Sequence, residues 1–168
     1  MPSIIRPGFV YDLAIRRKSD DSIVHIERGT PNRVPIEGLN DMANCYLKGG
    51  GAPAGLYVGL WSGAHIPDGN ETAATLSSIV TEATAYLQTG RLPLTLGTVS
   101  AGSVSNAASV ARFDMQDTLT INGAFLSTVQ AKGANTGKLL SVVRFANPRP
   151  VDNTVYLEVL TGFQFIAL

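Results

Sequence analysis

Two histidines, one cysteine and thirteen carboxylates are all that this chain offers to acid–base, nucleophilic or metal chemistry. A hydrolytic triad needs a histidine within reach of a nucleophile and of an orienting acid. His25 lies in a charge-rich stretch and His65 in a polar loop, and neither belongs to a GxSxG or HExxH pattern. Both read as surface or hydrogen-bonded histidines. Cys45 falls in a segment of apolar periodicity, where a small packing residue is the expected role, and a lone thiol forms no internal disulfide. No Cys/His cluster has the spacing of a zinc site. Glycosidase chemistry needs two carboxylates, and the candidates are Asp114 with Asp117 and Glu71 with Glu82, each flanking a turn. Solvated surface acids are the simpler reading.

The glycine run Lys48–Gly55 follows its helical segment, whereas a phosphate cradle must end at a helix N-terminus, where free N–H groups meet the anion. It reads as a helix stop and a tight connection. The Gly/Ser-rich stretch Gly97–Asn106 reads as a hairpin connection. No catalytic, cofactor-binding or metal-binding residue is assigned, and an enzyme is not expected.

Charged residues make up only 15% of the chain, against roughly 25% in a typical globular protein, which suits a surface partly covered by partners. The formal net charge is zero, so the positive excess that grips a nucleic-acid backbone is missing. The same neutrality leaves little repulsion between copies. The longest apolar stretches stop well short of the ~20 residues of a membrane-spanning helix. The N-terminal sequence lacks the apolar core of a signal peptide, so synthesis in a reducing cytoplasm is expected.

Eleven of the 26 charges fall within the first 40 residues. Residues 1–34 read as an extended N-terminal arm with short strands at Phe9–Ile15 and Ser22–Glu27, punctuated by Pro2, Pro7 and Pro31. Such an arm is either a solvated terminus or a segment laid across a neighbouring subunit. Residues 35–168 read as one domain. Pro35–Lys48 carries Ile36, Leu39, Met42, Ala43, Tyr46 and Leu47 at spacings of three and four, one apolar stripe of a helix that Gly49–Gly51 would end. Leu56–Trp61 reads as a strand. Ala73–Ala85 is ambiguous, with Leu76, Ile79 and Val80 compatible with a short helix. Short strands are expected at Thr84–Gln88 and Leu94–Val99, then at Val110–Met115, Thr118–Gln130, Lys138–Phe145 and Thr154–Ala167.

In Thr118–Gln130, Leu119, Ile121, Phe125 and Val129 mostly keep one parity, with a bend or bulge at Asn122-Gly123. Lys138–Phe145 places Leu139, Val143 and Phe145 on one face. In the last strand Val155, Leu157, Val159, Phe163 and Phe165 share a face, and Tyr156, Leu160 and Ile166 make the opposite face apolar too. Turns are expected at Gly133–Gly137 and Asn147–Asn153. Many short strands, frequent turns and one short helix define a mainly β chain, an antiparallel sandwich or barrel.

The order VPIEGLNDMANCYLKGG (Val34–Gly50), LYVGLWSG (Leu56–Gly63) and TEATAY (Thr81–Tyr86) resembles small proteins from the head-structure regions of tailed bacteriophages. So do ASVARFDM (Ala108–Met115), Ile121–Val151 and the closing apolar strand. The resemblance is to capsid decoration, or cement, proteins and covers Val34–Leu168. It implies a jelly-roll-like β-sandwich, assembled as a homotrimer on the outer surface of the virion's capsid and bridging major capsid subunits. It implies no cofactor, no direct nucleic-acid contact and no membrane. On this reading Arg6, Arg16, Arg17, Lys18, Arg28 and Arg33 dock onto acidic groups of the capsid or of neighbouring copies. Tyr57, Trp61, Phe163 and Phe165 belong to the core or to the trimer seam. The alternative is a tail-associated or receptor-binding β-domain, with the loop His65–Thr72 as its recognition tip.

Overall fold

The computed structural model describes residues 6–166, with side chains from 8 to 164. The elements run β1 (Arg6–Arg17), β2 (Ile23–Pro31), α1 (Ile36–Leu47), β3 (Tyr57–Ser62), α2 (Ala73–Ile79), β4 (Thr81–Ala83), β5 (Leu92–Pro93), β6 (Ser103–Ser105), β7 (Ala111–Asp114), β8 (Leu119–Ser127), β9 (Leu139–Val151) and β10 (Val155–Ile166). They build two antiparallel sheets. One runs β2-β1-β10, with β6 and β7 along the far edge of β10; the other runs β4-β3-β8-β9, with β5 also on β3. The protein is a mainly β sandwich.

Alternation along the strands explains why the sheets close on each other. Phe9, Tyr11, Leu13 and Ile15 of β1 and Leu157 and Val159 of β10 face Val58, Leu60, Ile121, Ala124, Leu126, Val143 and Phe145 of the other sheet in one core. A polar contact crosses that core: the Tyr11 hydroxyl, fully buried, donates to Ser141 Oγ at 2.9 Å. Asn32 Nδ2 donates to the same oxygen at 2.7 Å, and Asn32 Oδ1 accepts from the Phe9 amide at 2.8 Å. Asn32 therefore ties the sheets together where the chain passes from one to the other.

A smaller apolar cluster lies on the outer side of the second sheet. There Trp61, Phe125, Leu139 and Val142 are covered by Ala73, Leu76 and Val80 of α2 and its C-cap. The buried Trp61 indole donates to Ala124 O and Val143 O at 3.2 and 3.1 Å. A Cβ at Gly123 would collide with the Trp61 ring and with Val143 O, so the indole reaches those carbonyls only over a glycine.

Several sequence expectations are corrected by this packing. Residues 6–31 are not an arm appended to the sandwich at residue 34. Their four inward side chains lie in the main core, and β1 pairs with β10 along its whole length, from Arg6 with Ile166 to Arg17 with Val155. The described residues hold two helices rather than one, since α2 takes up the ambiguous segment, capped by reciprocal Thr72–Thr75 bonds. Thr84–Gln88 and Leu94–Val99 are mostly not strands; Tyr86 makes an isolated bridge with Met115, and Leu92–Pro93 pairs instead. β9 runs on through the expected turn to Val151, its amides at Ala146 and Asn147 donating to the Glu27 carboxylate of β2 at 2.7 and 3.1 Å.

The bulge at Asn122 is present, and it sends Ile121 into the main core and Phe125, four residues on, into the outer cluster. A second register shift pairs Leu126 with Ser141 but Ser127 with Leu139. Leu139 thus joins the outer cluster while Val143 and Phe145 face inward.

Candidate functional site

Helix α1 is held by its first turn. The Glu37 carboxylate accepts from the Ala73 amide at the start of α2 at 2.8 Å and from the Leu139 amide at the start of β9 at 2.9 Å. Gly38, the buried residue of α1, lies where a Cβ would come 2.9 Å from both Leu139 O and Leu140 Cα. The glycine that weakens the helix intrinsically is what lets it lie against β9. Gly49, at φ +69°, ends the helix, and Gly50 N donates to Asn44 O at 3.0 Å.

With Gly38 against the sandwich, Met42 packs on the core but most of the apolar stripe turns outward. Tyr46 is 88% exposed, Leu47 76%, Ile36 56% and Leu39 40%. Between this face and the end of β10 runs a groove of about 670 Å³ lined by Leu39, Met42, Ala43, Cys45, Tyr46, Leu47 and Phe163. An adjoining hollow of about 250 Å³ continues from Met42, Cys45 and Phe163 to Phe9, Leu56, Leu96 and Val104. Phe163 meets Phe9 edge to face at 4.9 Å, so the floor is aromatic and continuous with the core. Grooves of this composition suit apolar side chains; the polar groups along them are the Asp41 carboxylate, the Cys45 thiol and the Tyr46 hydroxyl.

The outer face of the first sheet is different. Arg16 Nε donates to Glu158 Oε2 at 2.8 Å across the β1–β10 pair. Arg112 lies 3.7 Å over the Tyr156 ring and bonds Asp114, while the Tyr156 hydroxyl donates to Asp21 at 3.0 Å. Tyr156 is therefore covered by the chain's own arginine. Arg28, exposed, borders a shallow depression with Asp12, Val110, Glu158 and Leu160.

The six basic residues expected to dock on partners do not form one patch. The Arg6 side chain lies outside the described residues. Arg16, Arg17 and Lys18 cluster at one end of β1, where Arg16 is paired with Glu158, Arg17 reaches Ser22 Oγ at 3.4 Å, and Lys18 donates to Met115 O at 2.6 Å. Arg28 stands on the outer face of the first sheet. Arg33 is exposed on the segment that bridges to β9, beside Gly69. Among the aromatics, Trp61 is core, Tyr57 is half-buried, Phe163 lines the groove, and the Phe165 side chain lies outside the described residues.

Most of the groups considered for catalysis are engaged structurally, while the buried Nε2 of His25 has no hydrogen-bond partner. Glu71, 3% exposed, accepts from His65 Nε2 at 2.7 Å and from the Asp68 and Gly69 amides at 2.8 and 2.9 Å. Burial pushes its carboxyl up, but those hydrogen bonds outweigh it and hold it below the ordinary carboxylate range. The result is a locked loop from Ser62 to Thr72, further held by Arg144 donating to Gly63 O and His65 O. Glu82 is bound by Arg91, and Asp114 by Arg112 and Gln88. His25 is held below its usual pKa by burial and then by Arg149. Among the described residues no hydroxyl or thiol bonds either histidine, and no group of three or more His, Cys, Asp or Glu could hold a metal ion. No helix among them is long and apolar enough to cross a membrane.

Sequence reasoning found the α1 stripe but not its direction, which depends on Gly38 meeting β9. The rest of the groove, Phe163, Leu96 and Val104, comes from distant segments and had no local signal. No known family model matches this chain, and no curated protein sequence matches it.

Proposed function

We propose that this protein is a structural component of a tailed-phage virion, one that decorates the outside of the head and bridges major capsid subunits. The observation that carries the reading is the exposed apolar face of α1 and the groove beside it, set on the sandwich. An exposed apolar face of this kind suits binding to a partner surface. The sequence resemblance supplies the class of partner, together with the jelly-roll-like connection and the homotrimeric state it implies. A decoration protein resists outward pressure by burying area across the seams between capsid subunits. About 800 Å² per partner already gives specific binding, and several linked contacts make attachment durable.

The test is the position and copy number of this chain in purified particles, read by cryo-electron microscopy. Hundreds of copies on the outer shell support the proposal. A few copies at the tail transfer the chain to the tail-associated or receptor-binding reading, and absence from the particle overturns both.

A further inference from the structure

β9 lies at the edge of its sheet, and an open strand edge offers its amides to any other strand. Here two carboxylates and a short bridge cover it. Glu37 takes the Leu139 amide at 2.9 Å, Arg33 pairs with Val142, and Glu27 of β2 takes the Ala146 and Asn147 amides at 2.7 and 3.1 Å. Glu27 thereby latches the edge strand of the first sheet to the edge strand of the second. Thr30 Oγ1 donates to the same carboxylate at 2.8 Å, so three donors hold it in place.

His25 stands two residues before Glu27, on the same side of β2. Its side chain is 13% exposed, its Nε2 is buried without a hydrogen-bond partner, and Glu27 Oε2 is 4.0 Å away. A neutral imidazole tolerates that position, whereas a buried imidazolium needs a partner. Shortening 4.0 Å to a hydrogen bond of about 2.8 Å takes a movement of about an ångström, which pulls the carboxylate away from the amides it holds. The charges around the ring do not make up the deficit. Glu27 attracts the charged form, and Arg149 of β9 repels it. β1 sets the apolar Ile15 opposite, and its other ionisable groups are turned elsewhere. Tyr11 bonds Ser141, Asp12 the Gly29 amide, Arg16 Glu158 and Arg17 Ser22, while Arg144 of β9 bonds Gly63 O and His65 O. Arg28 is exposed on the opposite side of β2. Burial, and after it Arg149, hold the His25 imidazole below its ordinary 6.5.

We propose that His25 and Glu27 form an acid-released latch, in which a proton on His25 frees β2 from β9 while the rest of the sandwich stays folded. The open form takes up that proton at the ordinary histidine value and the closed form only at lower pH. The latch is therefore fully stable above 6.5 and weakens as pH falls below it. Burial pushes the Glu27 carboxyl up, but the bonds from the Ala146 and Asn147 amides and from Thr30 outweigh it and hold it below its ordinary 4.5. The window just under 6.5 thus belongs to His25. Opening uncovers the Ala146 and Asn147 amides on the edge of β9. The latch does not rest on the virion reading.

The test is amide hydrogen exchange of the full chain, read by nuclear magnetic resonance from pH ~7.5 to ~5 and expressed as protection relative to an unstructured chain at the same pH. In the wild type, protection at Ala146 and Asn147 is expected to fall by up to about tenfold per pH unit below the histidine value, the limit for one proton taken up on opening. Amides of the β3–β8 pair should keep theirs. His25→Leu and His25→Gln should each hold the two amides protected across the range, and His65→Gln should leave the pH dependence in place. Either His25 variant suffices if the other fails to fold. Amides already unprotected at pH ~7.5, protection that stays constant or rises as the wild type is acidified, or a loss that persists in a folded His25 variant overturns the proposal. Loss shared equally by the β3–β8 amides overturns it too, because the event would then be global unfolding.

Discussion

Arg91 is 3% exposed, and all five of its N–H donors have acceptors. Nε and Nη2 grip Glu82 at 2.9 and 2.8 Å; Nη1 reaches Ser127 Oγ and Val129 O at 3.3 and 3.1 Å; Nη2 also reaches Ala134 O at 2.9 Å. The guanidinium lies 4.9 Å over the Phe125 ring. One side chain thus fastens β4, the end of β8 and the turn before β9. Replacing Arg91 by Ala strands the Glu82 carboxylate, 12% exposed, with the Gly133 amide as its remaining donor at 2.8 Å, and orphans two carbonyls. Removing one partner of a buried pair costs about 3–5 kcal/mol, a large share of the roughly 5–15 kcal/mol that a domain has. With a urea slope of about 2 kcal/mol/M, the midpoint falls by about 2 M. Urea unfolding followed by Trp61 fluorescence measures it. The double variant Arg91→Met, Glu82→Leu is expected to recover most of the loss, because the isolated buried charge causes the damage rather than the missing attraction. A midpoint shift below about 0.5 M for the single variant, with the slope unchanged, would refute the reasoning.

Three further outcomes are expected. Gly38→Ala gains about 1 kcal/mol of helix propensity but drives a methyl into Leu139 and Leu140, and overpacking costs about 1–3 kcal/mol, so the net effect is destabilising. Faster amide exchange confined to α1 would show it, and a stabilised variant would contradict the close approach. Burial raises the Tyr11 hydroxyl to about 12 from 10.0, against its bonds to Ser141 and Thr161. The unfolded chain therefore ionises first, and stability held below pH 10 is lost as pH rises toward 12; Tyr11→Phe should flatten that alkaline loss in a melting-temperature series. Glu71 and Asp114 both have lowered pKa values, burial being outweighed by hydrogen bonds from His65 and backbone amides in one case and from Arg112 and Gln88 in the other. Their stabilisation is present above the ordinary carboxylate pKa and fades as pH falls through the lowered values, so Glu71→Gln should melt less steeply with acid than the wild type.

What was legible in the sequence was local and periodic. The last strand's inward set, Val155, Leu157, Val159 and Phe163, was read from alternation because no bulge interrupts it against β1. The bulge at Asn122 was signalled by its glycine, but not the exchange of faces that follows. The slip near Leu140 had no signal, and alternation carried past it gave Leu139 the wrong side. Phe9–Ile15 reads as a strand, but the charges of Arg16, Arg17 and Lys18 beside it hid that Phe9, Tyr11, Leu13 and Ile15 lie in the main core. The groove was partly legible, as a stripe on α1. Its outward turn was not, since it depends on one glycine meeting one strand a hundred residues later.

The pairing of β1 with β10 also sets an order of events during synthesis. β1 has as its central partner β10, which is made about 150 residues later. At ~5–20 residues per second, the β1–β2 hairpin waits on the order of ten seconds or more with four large apolar side chains uncovered. The second sheet, built from β3, β8 and β9, has all its strands in hand sooner and can close first. Yield of soluble protein should therefore depend on how quickly the ribosome delivers β10. Slow codons between β9 and β10 would lengthen the exposure, while a chain permuted to place β10 directly before β1 would bring the two partners out together.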